Sequence, residues 1–360
     1  MNYLLIFLLT WYQPQGWFHH KPRPTPTPAP TPTATPRHRP RHSASESSTP
    51  ASSLTKAPRG IFYLLKTDEP ISEKQSCWTN PAINGVRLSV SIGSIEKRKG
   101  DFDWAQLDTA AALAKAKGKQ WSVGVAWAPA LPAWVGAKMY KFSTAAAALP
   151  WDPALVAAEL DFIEAFGKHF AGDSNLAGVI VGGLGTGADG FVTTVAKDAD
   201  DIAALGSGGG APEWIAASQK IIGAYAAAFP HHAIMLVAAN PFPNEYKSLA
   251  TIGDWATSAY PDFGVIAPNL KMTSGVDDTP TALVNVYALS HPCGFQLAST
   301  DLGGTMPQVL GVGVKLLRGR GDIEVSGSAC DDAANAEALT AATRQLKAGA
   351  LPNEKSKEKE

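Results

Sequence analysis

The sequence predicts an α/β chain, a closed (β/α)8 barrel, preceded by a disordered linker rich in proline and threonine. Three observations predict it. Apolar runs of strand length recur from residue 60 to residue 325. Helix-start signals stand between most of them. Ahead of both, residues 19–58 have a composition from which no packed core can be built. The 360 residues are 45% hydrophobic and 18% charged, enough to bury one large core.

Taken in order, residues 1–18 contain the apolar run Tyr3–Trp11, which reads as a signal peptide or a short hydrophobic anchor. It implies a chain that is secreted or held at the cell surface. No Lys or Arg precedes the run and no small-x-small cleavage site follows it, so it is atypical. Residues 19–58 follow. Proline occupies every even position from Pro22 to Pro32. Alternating proline fixes φ and removes amide donors, which leaves a stiff extended spacer. Six Lys or Arg and one Glu give this region a net charge of +5, against −6 for the remainder. A basic arm on an acidic body suits contact with an anionic cell surface, or simply keeps a linker solvated. Residues 351–360 form a charged tail.

Residues 59–350 form the barrel. Strands are expected at Ile61–Leu65, Val86–Ile92, Trp121–Trp127, Ala177–Gly182, Ala233–Ala239, Gly264–Ala267, Gly294–Ala298 and Asp322–Val325. Most lack strict alternation, as strands buried on both faces do. Between them, Leu107, Ala111 and Ala114 recur at helical spacing ahead of Gly118. Asp152–Pro153 is a cap followed by a first-turn proline, with Val156, Leu160, Ile163 and Phe170 behind it on an inward face. Pro212, Thr279–Pro280 and Met306–Pro307 open further helices. The first crossover, Lys66 to Gly85, is helix-poor. Eight strands with helices between them favour a ring over an open doubly wound sheet.

Several classes are excluded. A net charge of −1 offers no basic field for nucleic acid. Three cysteines cannot build a disulfide scaffold or a four-cysteine zinc site. Gly185 to Gly190 fits G-x-G-x-x-G but lacks the acid about 20 residues on that ribose binding needs. His169, His231–His232 and His291 lack a ligand set, so no metal and no cofactor is expected. No Gly-x-Ser-x-Gly elbow exists for a serine hydrolase.

The segment Gly85-Val-Arg-Leu-Ser-Val-Ser-Ile-Gly-Ser-Ile-Glu96, followed by Gly100-Asp-Phe-Asp-Trp104 and Leu107-Asp108, resembles the second strand and helix of clan-A glycoside hydrolases, the cellulase and β-galactosidase superfamily. Val123 to Trp127 with Leu131-Pro-Ala-Trp134 is similar to that group's third strand and loop. Trp151-Asp-Pro153 resembles the stretch before its fourth strand. The resemblance implies a carbohydrate ligand or substrate and, for hydrolysis, two carboxyl groups at the ends of strands 4 and 7. The sequence departs from that pattern at both places. Strand 4 ends without an Asn-Glu pair, and strand 7 carries Gln296, an amide that neither donates a proton as an acid nor takes a carboxylate's charge.

The carboxylates left near strand ends are Glu324, Asp189, Asp301 and Glu96, the candidates for acid/base work. Glu324 reads equally as half of a buried ion pair with Arg87, and Glu96 as a residue that organises its turn. Arg87, which the resemblance places beside the nucleophile, joins Trp127, Trp134, Asn240, Asn269 and Gln296 as a candidate for holding sugar. The alternative to a hydrolase is a barrel without catalysis that binds carbohydrate or serves as a surface scaffold. Closure of the ring would also bring Cys330, after strand 8, near Cys77 in the first crossover, leaving Cys293 free.

Overall fold

A computed structural model describes residues 57–127, 131–142, 146–181, 199–207, 209–238, 242, 246–276, 279–297 and 301–349. All lie in one compact unit that spans Ala51–Glu360. Eight parallel strands close into a ring: β1 Gly60–Leu64, β2 Ile83–Ser91, β3 Gln120–Ala126, β4 Leu176–Val181, β5 Ala233–Val237, β6 Phe263–Ala267, β7 Cys293–Leu297 and β8 Asp322–Ser326. Each pairs with its sequence neighbours, and β8 pairs with β1. The expected (β/α)8 barrel is therefore the observed fold.

Helices form the outer layer: α1 Ala105–Lys117, α2 Pro153–Phe170, α3 Ala199–Ser207, α4 Gly210–Ala228, α5 Lys247–Ala259, α6 Thr279–Tyr287, α7 Met306–Leu316 and α8 Ala336–Ala348. Between β1 and β2 the chain makes only a single 3-10 turn, Ser76–Trp78, the helix-poor crossover that the sequence implies. The last helix, α8, packs over both strands in its place. Its Thr343 hydroxyl donates to the carbonyl of Ala82, just before β2.

The start of α2 shows how sequence sets the outer layer. The Asp152 carboxylate accepts from the amides of Ala154 (2.9 Å) and Leu155 (3.3 Å), and Pro153 occupies the first turn, where its missing amide is no loss. Replacing Asp152 by Ala should cost about 1 kcal/mol, read as a lowered urea midpoint at unchanged slope. Of the inward face that spacing suggests, Val156, Ile163 and Phe170 are buried and Leu160 is half-buried. The buried stripe of α2 also runs through Leu155, Glu159, Phe162 and Phe166. It includes a carboxyl group, Glu159, 1% exposed and with neither oxygen hydrogen-bonded.

Register divides the interior into two halves. Arg87 pairs with Ser122, Ser122 with Gly178, and Ile180, two residues on, with Met235, so these residues share the inward face. Ile180, Ala233, Met235, Val237 and Ile266 form an apolar cluster inside β4–β6. Across β7, β8, β1 and β2, the row Gln296–Glu324–Phe62–Gly85 faces inward, with Arg87 two residues above Gly85. Gly85 must be a glycine: a Cβ there would stand 2.4 Å from the Phe62 ring, which fills that part of the lumen. The barrel is a packed interior, polar on one side.

Candidate functional site

The polar side is built by β2, β7 and β8, and each strand places its residue by the two-residue period. In β8, Asp-Ile-Glu-Val-Ser alternates, so Asp322, Glu324 and Ser326 point into the lumen. In β2, Arg87, Ser89 and Ser91 do the same. The Arg87 Nε lies 3.0 Å from Glu324 Oε1, with the two side chains 0% and 1% exposed. The Gln296 amide donates to Glu324 Oε2 at 3.0 Å. The Glu324 carboxylate is thereby held by a cation on one oxygen and an amide on the other.

Asp322 lies one step deeper, 2% exposed and beside Gly294, where a Cβ would approach its Oδ1 to 2.8 Å. Burial and then the Glu324 charge push the Asp322 carboxyl well above the usual carboxylate range, and the Arg87 charge only partly offsets them. Burial thus favours the neutral form of Asp322 beside the Arg87–Glu324 ion pair, the form that a low-dielectric interior tolerates best.

Above the cluster the floor is made of small hydroxyl residues. Ser89 is buried, with its Oγ 3.1 Å from Thr67 Oγ1. Ser91 and Ser326 are partly exposed at the strand ends. Ser122 is buried level with Arg87. Hydroxyls donate and accept without charge, which suits hydrogen bonding to a polar neutral ligand.

The other candidates lie apart from this cluster. Asp301 is 77% exposed, past β7, and 2.9 Å from Lys271 Nζ. Lys271 and the Gly303 amide hold it below the usual carboxylate range, which suits an anion and not a proton donor. Glu96 is buried, and its Oε1 accepts from the Gly100 amide at 2.7 Å across a two-stranded hairpin, Glu96–Phe102. Burial raises its pKa, with the Gly100 bond opposing. This is the turn-organising role considered for it. The Trp134 indole donates to the Glu96 carbonyl at 2.9 Å, half-buried behind the same hairpin. Trp127 is 1% exposed and lies edge-on to Phe162 of α2, 5.9 Å between ring centres, so its ring packs the outer layer. Asn269 is exposed just past β6 in the left-handed region (φ 59°), the backbone state that asparagine tolerates best among residues with a side chain. Asp189 and Asn240 lie outside the described residues.

The structure thus brings together Arg87, Glu324 and Gln296. The sequence reading missed Asp322, Ser89 and Ser326. The signal was present as alternation: R-L-S-V-S in β2 and D-I-E-V-S in β8 put every polar residue on one face. Among the described residues no group of His, Cys, Asp or Glu is placed to hold a metal ion, and no helix is long and apolar enough to cross a membrane. A groove of about 530 Å³ runs between α2 and α4 on the outside, lined by Ile163, Gly167, Ala224 and Ala228. It is remote from the polar cluster and presents no buried charge.

No family model matches the chain, and no curated protein does. Among solved structures, native xylanase 10B from Thermotoga maritima is similar at 11% identity, covering 77% of this chain and 86% of that one, with a TM-score of 0.48. Endo-glycoceramidase II from Rhodococcus sp. is similar at 11% identity over 75% and 73%, with a TM-score of 0.47. An intracellular xylanase from Thermoanaerobacterium saccharolyticum is similar at 12% identity over 78% and 89%, with a TM-score of 0.46.

Proposed function

We propose that this chain is an exported, glycoside-hydrolase-like barrel that holds a carbohydrate at the C-terminal ends of its strands without cleaving it. The observation that carries the reading is the pairing of Gln296 with Glu324. The strand-7 position, where the clan resemblance calls for a nucleophilic carboxylate, holds an amide. That amide donates to a carboxylate already bound by Arg87. The acid of a retaining pair must stand ~5–5.5 Å from its nucleophile and that of an inverting pair ~6.5–9.5 Å. Asp301 is exposed and ion-paired, and Glu96 holds a hairpin, so neither offers a proton at the cluster. The hydroxyl floor of Ser89, Ser91 and Ser326 suits sugar hydroxyls. The proline-rich, basic linker would hold the barrel near an anionic cell surface.

Hydrolysis has one observation in its favour. Glu324 is a carboxyl group beside the strand-2 arginine, as a nucleophile in the resembled clan is. Asp189 would then serve as its acid. The experiment is a screen of the full chain against soluble oligosaccharides for binding and against chromogenic glycosides for turnover, with Glu324→Gln in parallel. Saturable binding without turnover is expected. Turnover that Glu324→Gln abolishes would establish the hydrolytic reading instead. Binding to no saccharide in the panel would remove carbohydrate from the proposal.

A further inference from the structure

Two of the three buried thiols sit at one junction. Cys77 is in the 3-10 turn of the first crossover, 0% exposed, and Cys330 is in the short helix Gly327–Asp331 that follows β8, 4% exposed. These two elements pack against each other, although they lie at opposite ends of the barrel sequence. The residues flanking the thiols are tied to one another. Asp331, next to Cys330, accepts from the hydroxyl of Ser76, next to Cys77. The other oxygen of Asp331 accepts from Tyr63 of β1 at 3.0 Å. Gly327 lies under the same Tyr63 ring, where a Cβ would stand 2.5 Å from its hydroxyl oxygen. Both backbones are therefore fixed side by side. All three cysteines, the remote Cys293 on β7 included, are free thiols here.

We propose that Cys77 and Cys330 are a disulfide-forming pair that fastens the first crossover to the segment after β8. The chemistry is thiol–disulfide exchange with a small disulfide oxidant such as oxidised glutathione. One cysteine thiolate attacks the glutathione disulfide, and one glutathione thiolate leaves. The second cysteine, deprotonated in turn, attacks the protein sulfur of the mixed disulfide and expels the second glutathione. Two protein thiols are oxidised, one glutathione disulfide is reduced, and the two protons end on the two released glutathiones.

The folded surroundings say when this can happen. Burial first, then the Asp331 charge, push both thiols up to about 12, so little thiolate exists once the barrel is closed. Cross-linking therefore belongs to folding, before the thiols are covered, and the folded reduced chain is slow to oxidise. Once formed, the bond is shielded by the same burial.

The test uses the full chain, denatured, reduced, and refolded with or without oxidised glutathione, then unfolded and alkylated for intact mass and peptide mapping. After oxidative refolding one alkylated cysteine is expected, at Cys293, with a Cys77–Cys330 linked peptide. Oxidant added only after refolding should leave three alkylated cysteines over the same period. The oxidised chain should also melt several degrees higher than the reduced one, and Cys330→Ala should erase that difference. Three alkylated thiols after oxidative refolding, or a link involving Cys293, would overturn the assignment. None of these readouts depends on whether the barrel binds sugar.

Discussion

Arg87→Leu is expected to destabilise the chain by about 3–5 kcal/mol, because it leaves the Glu324 carboxylate buried without its cation. The magnitude comes from the uncompensated charge and not from lost contacts, since leucine keeps most of the arginine stem's apolar volume. Glu324→Leu alone should also destabilise the chain, because it removes the carboxylate paired with the buried Arg87 cation. The double variant Arg87→Leu/Glu324→Leu should recover most of the loss, because a buried ion pair replaced by packed aliphatic side chains is close to neutral. Urea midpoints of the three variants decide the matter. Additive losses in the double variant would show that the two groups do not act as a pair.

Glu159→Met is expected to do the opposite and stabilise the chain by roughly 1–3 kcal/mol at neutral pH, the usual cost of a buried polar group with no hydrogen-bond partner. Glu159 faces the barrel from the middle of the α2 stripe, and burial raises its pKa well above the ordinary 4.5. The sign follows from proton counting. Above the unfolded pKa the unfolded chain has lost its proton while the folded chain keeps it, so stability falls as pH rises toward the folded pKa. The advantage of Glu159→Met over wild type should therefore widen as pH rises above the ordinary carboxylate range toward the raised folded pKa. Glu159→Gln should remove the pH dependence and keep most of the polar burial cost. A gap between Met and Glu that stays constant over that range would mean the carboxyl is not protonated in the fold.

The two residues illustrate what was legible in the sequence. Strand order and closure followed from short apolar runs separated by capped helices, because burial on both faces leaves a coarse compositional mark that needs no partner to read. The Arg87–Glu324 pair was legible too, since ring closure puts β8 and β2 on either side of β1, with their inward side chains facing across it. Asp322 and Glu159 were not singled out, although both are buried acids. A lone acid in an apolar stripe looks like an exposed position, and only packing shows that the helix or strand turns it inward. Trp127 was read toward the mouth from its place at a strand end. The parity of β3 sends it outward beneath α2, one residue after the inward Ala126. That single-residue parity is what a sequence without its partner strands leaves open.

The closing role of α8 has a consequence for biosynthesis. A chain emerging from the ribosome carries its first two strands well before α8, the helix that shields their outer face. Until α8 has been synthesised, that flank has no cover. Closing it depends on contacts of long sequence separation, between β1 or β2 and α8. A product clipped ahead of Ala336 would keep all eight strands yet present a long greasy seam to proteases and to its own copies.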